Sequence, residues 1–318
     1  MMLTGIRQME MTEVPEPVLV NPGDVKIRMS VIGVCGSDIH YYVNGKIGSQ
    51  VVQYPFPVGH EGAGVVVETG RSVTRVKPGD AVAIEPAMNC GECDQCLSGR
   101  PNTCRRLRFL GCPGQADGCL SEFIVMPEGS CIPLHEGLTT DDGAISEPLA
   151  IGVYAVRTSI PMKGRRVGIL GFGPIGMSVL LAAAAEGASA VYVTDKIDER
   201  LSIAERSGAA AALNPLREDI VSAVIGKEPL GLDVVFECCG QQDAFDQGID
   251  LLKPGGKLMV VGIPEFDKWI MNVDSTRRRE ITVQFVRRQA DSTEQALEMI
   301  RTGRADISKM ITHRFSFS

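Results

Sequence analysis

Cys35, His60 and Glu61 offer a soft thiol, an imidazole and a carboxylate, set in Gly33-Val34-Cys35-Gly36-Ser37-Asp38-Ile39-His40 and Gly59-His60-Glu61. Three such donors can hold Zn²⁺ and leave one position open for water or substrate, which is the arrangement of a reactive metal. Taken singly each has a plainer reading, since free core cysteines are common and an isolated histidine often only satisfies a hydrogen bond. A second set is denser. Cys90, Cys93, Cys96 and Cys104 are separated by two, two and seven residues, in a stretch rich in Gly, Asn and Asp that can make little core of its own. Four thiolates close a tetrahedron around Zn²⁺, so this site staples a loop and does not catalyse. The spacings are not those of ferredoxin iron–sulfur runs.

The third set binds phosphate. Residues 167–170 form a buried-strand run, followed by Gly171-Phe172-Gly173-Pro174-Ile175-Gly176. Gly171, Gly173 and Gly176 have the spacing for a tight turn, close approach to a pyrophosphate and close helix packing, with a helix N-terminus behind them. G-x-G-x-x-G alone is weak evidence, because a mere tight turn can carry the same glycines. Asp195 follows 19 residues after Gly176, at the end of the next strand. A carboxylate there accepts hydrogen bonds from ribose hydroxyls and repels a 2′-phosphate, which favours NAD over NADP, although the adjoining Lys196 offsets part of that repulsion. A surface Asp capping a turn is the alternative reading. The three sets together indicate metal-assisted hydride transfer to a dinucleotide.

The elements that must position these groups change character near residue 155. Before it, short runs such as residues 25–29 and 64–68 alternate with Gly/Pro punctuation, which reads as a β-rich, barrel-like domain. After it, strands at 167–170, 190–194, 234–237 and 257–261 alternate with helices at 174–186, 198–207 and 243–252. That alternation predicts a doubly wound parallel sheet. A further strand is expected at 281–285 and a helix at 292–303.

Composition agrees. A length of 318 residues implies about two domains, and 44% hydrophobic with 22% charged residues is ordinary for a globular protein. The net charge of -7 argues against nucleic acid as a partner. No apolar run is long enough to span a bilayer, so the reading is a cytoplasmic protein with no membrane partner. Ten cysteines, four of them at metal-ligand spacing, fit reduced thiols in a reducing compartment.

The ordered set of Gly-His-Glu, the four-cysteine lobe, Gly-Phe-Gly-Pro-Ile-Gly and the following acidic residue resembles the zinc-containing medium-chain dehydrogenase/reductases over essentially the whole chain. Cys35-Gly-Ser-Asp-Ile-His40-Tyr41-Tyr42, Gly45-Lys-Ile-Gly48, Pro55-Phe-Pro-Val-Gly-His60-Glu61 and Glu147-Pro148-Leu149 are similar to the sorbitol/xylitol (polyol) dehydrogenase branch. The resemblance implies a GroES-like zinc-binding domain over residues 1–154 with a C-terminal return at 289–318, and a Rossmann NAD-binding domain over 155–288. It implies Cys35 and His60 as catalytic zinc ligands, Glu61 as a ligand or a neighbour just outside them, and Glu147 as a carboxylate reaching both zinc and substrate. Tyr41 and Arg287 match substrate contacts, and Ser37 with His40 a proton relay. Ile175, Asp195, Arg200, Val261 and Ile263 match residues beside NAD. The implied activity is hydride transfer from a secondary hydroxyl of a polyol to NAD. An L-threonine or secondary-alcohol dehydrogenase and a non-catalytic zinc- and nucleotide-binding protein are the alternatives. A homo-oligomer, dimer or tetramer, is implied as well. Two departures stand out: Arg287-Arg288 replaces an expected Arg-Tyr, and the polyol branch usually continues past Ser318 with a helix and strands, without which sheet edges would be left bare.

Overall fold

The computed structural model describes residues 1–317; Ser318, the last residue of the expected return segment, lies outside the described residues. The chain forms two compact units, Met1–Glu147 with Thr293–Arg301, and Pro148–Ser292 with Thr302–Ser318. The long helix Thr140–Arg157 runs through the point of division.

The first unit is built on a five-stranded antiparallel sheet in the order Phe123–Pro127, Asp24–Ile32, Gly62–Thr69, Ala81–Ile84, Cys131–Pro133. The expected runs at 25–29 and 64–68 fall inside its two longest strands. Alternation of side chains sends Val25, Ile27, Val66, Val82, Ile84, Ile124 and Met126 into one core. Register slips between Lys26 and Ile27 and between Met29 and Val31 bend the strand Asp24–Ile32 as it approaches Cys35. Of the expected terminal return, only the helix Thr293–Arg301 groups with this unit, and its Leu297 packs on Ala83 and Ile132.

The second unit carries a six-stranded sheet in the order Ala211–Leu213, Ala190–Thr194, Arg166–Leu170, Leu232–Glu237, Leu252–Val260, Thr282–Phe285. Every pairing is parallel. Numbered within this unit the order is 3-2-1-4-5-6, the Rossmann arrangement, with the strand order reversing beside Arg166–Leu170. Leu232, Val234, Val235 and Phe236 are fully buried, as apolar residues of a strand covered on both faces by helices must be. Helices Pro174–Ala185, Asp198–Arg206 and Gln242–Leu251 match the sequence expectation within a residue or two. The sequence reading passed over the strand Ala211–Leu213 and the helices Ile220–Lys227 and Val273–Arg278, which are short and flanked by Asn and Asp signals. Among the described residues no helix is long and apolar enough to cross a membrane.

Candidate metal and dinucleotide sites

Cys35 is the N-cap of the helix Gly36–Asn44 and His60 precedes the strand Gly62–Thr69, so the bent sheet sets where both loops end. Donor atoms of Cys35, His60 and Glu61 all lie within 4.8 Å of one another. Asp38 ties the two loops together. Its buried carboxylate accepts the Cys35 N–H at 3.1 Å and the Gly59 N–H at 3.2 Å, and Oδ1 stands 3.7 Å from His60 Nδ1. That last separation is too long for a hydrogen bond, and His60 Nδ1 is buried without one. Sequence reasoning missed Asp38, although its place three residues after Cys35 is a capping-box position and could have signalled it.

The electrostatics describe a site short of positive charge. Burial and the neighbouring Glu61 push the Cys35 thiol up, and burial pushes the Glu61 carboxyl up. For His60, burial pulls the pKa down, but Asp38 and Cys35 outweigh it and leave the imidazole well above its ordinary value. Each of the three groups is thus shifted toward its protonated form, a shift that a divalent cation would oppose, and a compact S, N, O donor set with an orphaned buried imidazole nitrogen fits zinc. Glu147, buried on the long helix, lies outside the compact set, yet its charge acts on both Cys35 and His60. Ser37 and His40 are half-buried on the helix that Cys35 caps, with Tyr41 beside them, buried.

The four-cysteine lobe converges as well. Sulfur–sulfur separations are 3.9 Å for Cys90–Cys96, 3.6 Å for Cys93–Cys96, 3.9 Å for Cys93–Cys104 and 3.4 Å for Cys90–Cys104. Four thiolates about 2.3 Å from a tetrahedral zinc stand about 3.8 Å apart, so the cage already has the right size. Backbone N–H groups, that of Glu92 foremost, hold the Cys90 thiol down to about 6, whereas desolvation and the adjoining thiols push Cys96 up to about 12. Arg105 forks onto Asp94 at 2.6 and 2.9 Å, and Arg106 pairs with Glu92, which places two guanidinium groups around the thiolates.

In the second unit the fingerprint turn begins at Gly171, with φ of 95°, a left-handed conformation that an L side chain resists. A Cβ at Gly176 would lie 2.0 Å from the Gly171 carbonyl oxygen. Gly173 caps the helix Pro174–Ala185, with Ile175 half-buried on its first turn. Asp195 caps a turn, as the plainer of its two readings expects. Its Oδ1 accepts the Ile197 N–H at 2.9 Å, as a turn cap does, while Oδ2 accepts the Phe172 N–H at 2.7 Å and stands 3.4 Å from Arg200 Nη1. We expect Gly176→Ala to weaken NADH binding by about 10²-fold while leaving zinc content unchanged, because the methyl group must open the turn that cradles the pyrophosphate. Fluorescence titration with NADH checks this, and an unchanged Kd would refute it.

Glu237, fully buried at the end of its strand, was not anticipated. Its Oε1 accepts N–H groups of Cys239 at 2.8 Å and Gly240 at 2.6 Å, and its carbonyl accepts those of Val261 at 2.8 Å and Gly262 at 2.9 Å. It thereby ties the turn after one strand to the loop 261–263, where Val261 is half-buried and Ile263 exposed. A charge closing the apolar run Val234-Val235-Phe236 was the available signal. Arg287 is exposed, and Arg288 sits at φ of 51°, unusual for a non-glycine.

Comparison with known proteins agrees with this geometry. Residues 21–136 match the alcohol dehydrogenase GroES-like domain and residues 174–302 the zinc-binding dehydrogenase domain. A sorbitol dehydrogenase of Bacillus subtilis is 33% identical over 311 residues, covering 98% of this chain and 88% of that protein. An Escherichia coli oxidoreductase/dehydrogenase of unknown specificity superposes with a TM-score of 0.94 at 33% identity, over 99% of this chain and 91% of that one. A zinc-binding dehydrogenase of Sinorhizobium meliloti, solved with NADP bound, gives a TM-score of 0.89 at 30% identity, over 97% of this chain and 90% of that one. A GroES-like unit with two metal-ready clusters, a Rossmann sheet with its glycine turn, and near full-length likeness place the chain in the zinc-binding alcohol dehydrogenase family, oxidoreductases that use zinc and a nicotinamide cofactor.

Proposed function

We propose that this protein oxidises a secondary hydroxyl of a polyol such as sorbitol or xylitol, passing the hydride to NAD. The observation that carries the reading is the convergence of Cys35, His60 and Glu61, with the buried Glu147 acting on the same cluster. The likeness to a sorbitol dehydrogenase supports the substrate class.

Cys35, His60 and Glu61 would hold the reactive zinc, and Cys90, Cys93, Cys96 and Cys104 the structural one. When bound, the two reactive cofactors supply Lewis-acid polarisation of the hydroxyl and a hydride acceptor. The chain's own residues do the remainder. Glu147 orients the reacting carbinol, and Tyr41 and Arg287 contact the substrate's other hydroxyls. Ser37 and His40, three apart on one helix and so on the same face, carry the released proton outward. Gly171, Gly173, Ile175 and Gly176 seat the pyrophosphate; Asp195 and Arg200 meet the adenosine ribose; Val261 and Ile263 flank the nicotinamide end. Asp195 would disfavour a 2′-phosphate. In domain terms, residues 1–154 with a return at 289–318 would form the catalytic part and 155–288 the NAD-binding part; within the return, the grouping of Thr293–Arg301 with the first unit supports this. We further propose a cytoplasmic location, with which the free thiols agree, and a homo-oligomer, a dimer or tetramer, on the family resemblance alone.

NADH formation with a panel of sorbitol, xylitol, other polyols, L-threonine and simple secondary alcohols tests this. We expect a polyol to give the highest kcat/KM, with NAD favoured over NADP by at least about 10-fold. Preference for threonine or a simple alcohol would move the protein to a sister activity, and silence from zinc-loaded protein would end the catalytic reading.

A further inference from the structure

The fully buried carboxylate of Glu237 belongs to neither metal cluster, yet it stands where the parallel sheet opens. Strand order reverses between Arg166–Leu170 and Leu232–Glu237, and in an open parallel sheet the ligand crevice lies outside the carboxyl ends of those two strands. Gly171 continues from the first strand and Cys238-Cys239-Gly240 from the second. The two turns touch: Cys238 N–H bonds to the Leu170 carbonyl at 2.8 Å, and a Cβ at Gly171 would lie 2.6 Å from the Cys239 Cβ. One side of the crevice is therefore the glycine turn, and the other is the turn that Glu237 holds.

Glu237 holds that turn from inside. Its Oε1 accepts the Cys239 N–H at 2.8 Å and the Gly240 N–H at 2.6 Å, while its main-chain carbonyl accepts the N–H groups of Val261 and Gly262 from the end of the neighbouring strand. Two glycines let the segments close on it. A Cβ on Gly240 would lie 2.4 Å from the Ile263 carbonyl oxygen, and one on Gly262 would lie 2.2 Å from the Gly240 nitrogen and 2.7 Å from Glu237 Oε2. Oε2 itself is buried with no hydrogen-bond partner among the described residues. Ending the apolar run Val234-Val235-Phe236 in such a carboxylate costs desolvation, and burial pushes its pKa up. What it supplies, and an apolar side chain could not, is an acceptor for two N–H groups whose turn would otherwise be free to shift.

A doubly wound sheet seats one mononucleotide of a dinucleotide on each side of the reversal. Asp195 ends the second strand of the half that starts with the glycine turn, the place for the adenosine ribose, which leaves the half starting with Leu232–Glu237 for the nicotinamide mononucleotide. Resting on the reading of residues 171–176 as the pyrophosphate turn, we propose that Glu237 is a positioning residue for the nicotinamide half of the cofactor: by fixing the turn 238–240 against the loop 261–263 it sets the wall on which that half is seated.

The test compares Glu237→Gln, which keeps an oxygen for the two N–H groups, with Glu237→Met, which keeps the length of the side chain and removes the acceptor. NADH, and ADP as the adenosine half with its pyrophosphate alone, are titrated into each purified variant by calorimetry. We expect Glu237→Met to raise the Kd of NADH about 10-fold and that of ADP less than about 2-fold, and Glu237→Gln to keep NADH within about 3-fold of wild type. Gly262→Ala presses on the same contacts from the other side and should give the same split between the two ligands. Unchanged NADH binding in Glu237→Met, equal weakening of NADH and ADP in Glu237→Met or Gly262→Ala, or a Gln variant as weak as the Met variant overturns the inference, and the pyrophosphate reading survives it provided that Gly176→Ala weakens both ligands. A Gly176→Ala protein that binds NADH and ADP as the wild type does overturns that reading and this inference together.

Discussion

Replacing His60 with alanine is expected to lower bound zinc from about two ions per chain to about one, and to reduce turnover by at least about 10³-fold. The reason is geometric. Cys35, His60 and Glu61 form a single compact donor set, and without the imidazole only a thiol and a carboxylate remain, each already pushed toward its protonated form by burial. Two donors, with the proton competing for each, hold a divalent ion more poorly than three. The cysteine lobe shares none of these residues and should keep its metal. Metal analysis of the purified variant, together with its steady-state rate, checks both halves. Full activity in a His60→Ala protein shown to lack one zinc would remove the proposed reactive metal from the argument.

The second large effect is on stability. Cys104 is the most buried thiol of its lobe, and its sulfur accepts N–H groups from Cys90 at 3.4 Å and Arg106 at 3.3 Å. Around it the segment has only short elements, the helix Asp94–Leu97 and the turn Pro101–Thr103, and Leu97 is largely exposed. Little apolar burial is available to hold these turns once the metal is gone. Cys104→Ser should therefore lose the structural zinc, lower the thermal midpoint by about 10 °C, and open the lobe to protease first. Treating the wild type with a strong chelator should open the same segment. A variant that loses the lobe's zinc and yet keeps the wild-type midpoint would mean that the lobe is held by its Arg105–Asp94 and Arg106–Glu92 pairs and not by metal.

Much of the Rossmann half was legible because its signals are local. Apolar strand runs ending in glycine or a carboxylate, and helices with the 3.6-residue period, each reveal themselves within a dozen residues. The short strand Ala211–Leu213 escaped because three small apolar residues carry no period. The helix Thr140–Arg157 escaped because its Gly143 and Pro148 read as breakers, while tertiary packing overrides that local preference.

For the sites, the division is sharper. The sequence by itself determined which residue types were present and at what spacing: four thiols close enough in the chain to close on one ion, and three glycines at the spacing of a phosphate turn. Those ligands are neighbours along the backbone, so the chain has little freedom to separate them. Cys35 and His60 are not neighbours, and nothing in their spacing brings them together. The bent strand Asp24–Ile32, its pairing with Gly62–Thr69 and the Asp38 carboxylate holding both loops decide that. The role of Asp38 was likewise decided by tertiary structure, because it acts by joining segments distant in sequence. A carboxylate bridging two loops has no one-dimensional signature; its meaning is set by what the fold places within 3 Å or so of it.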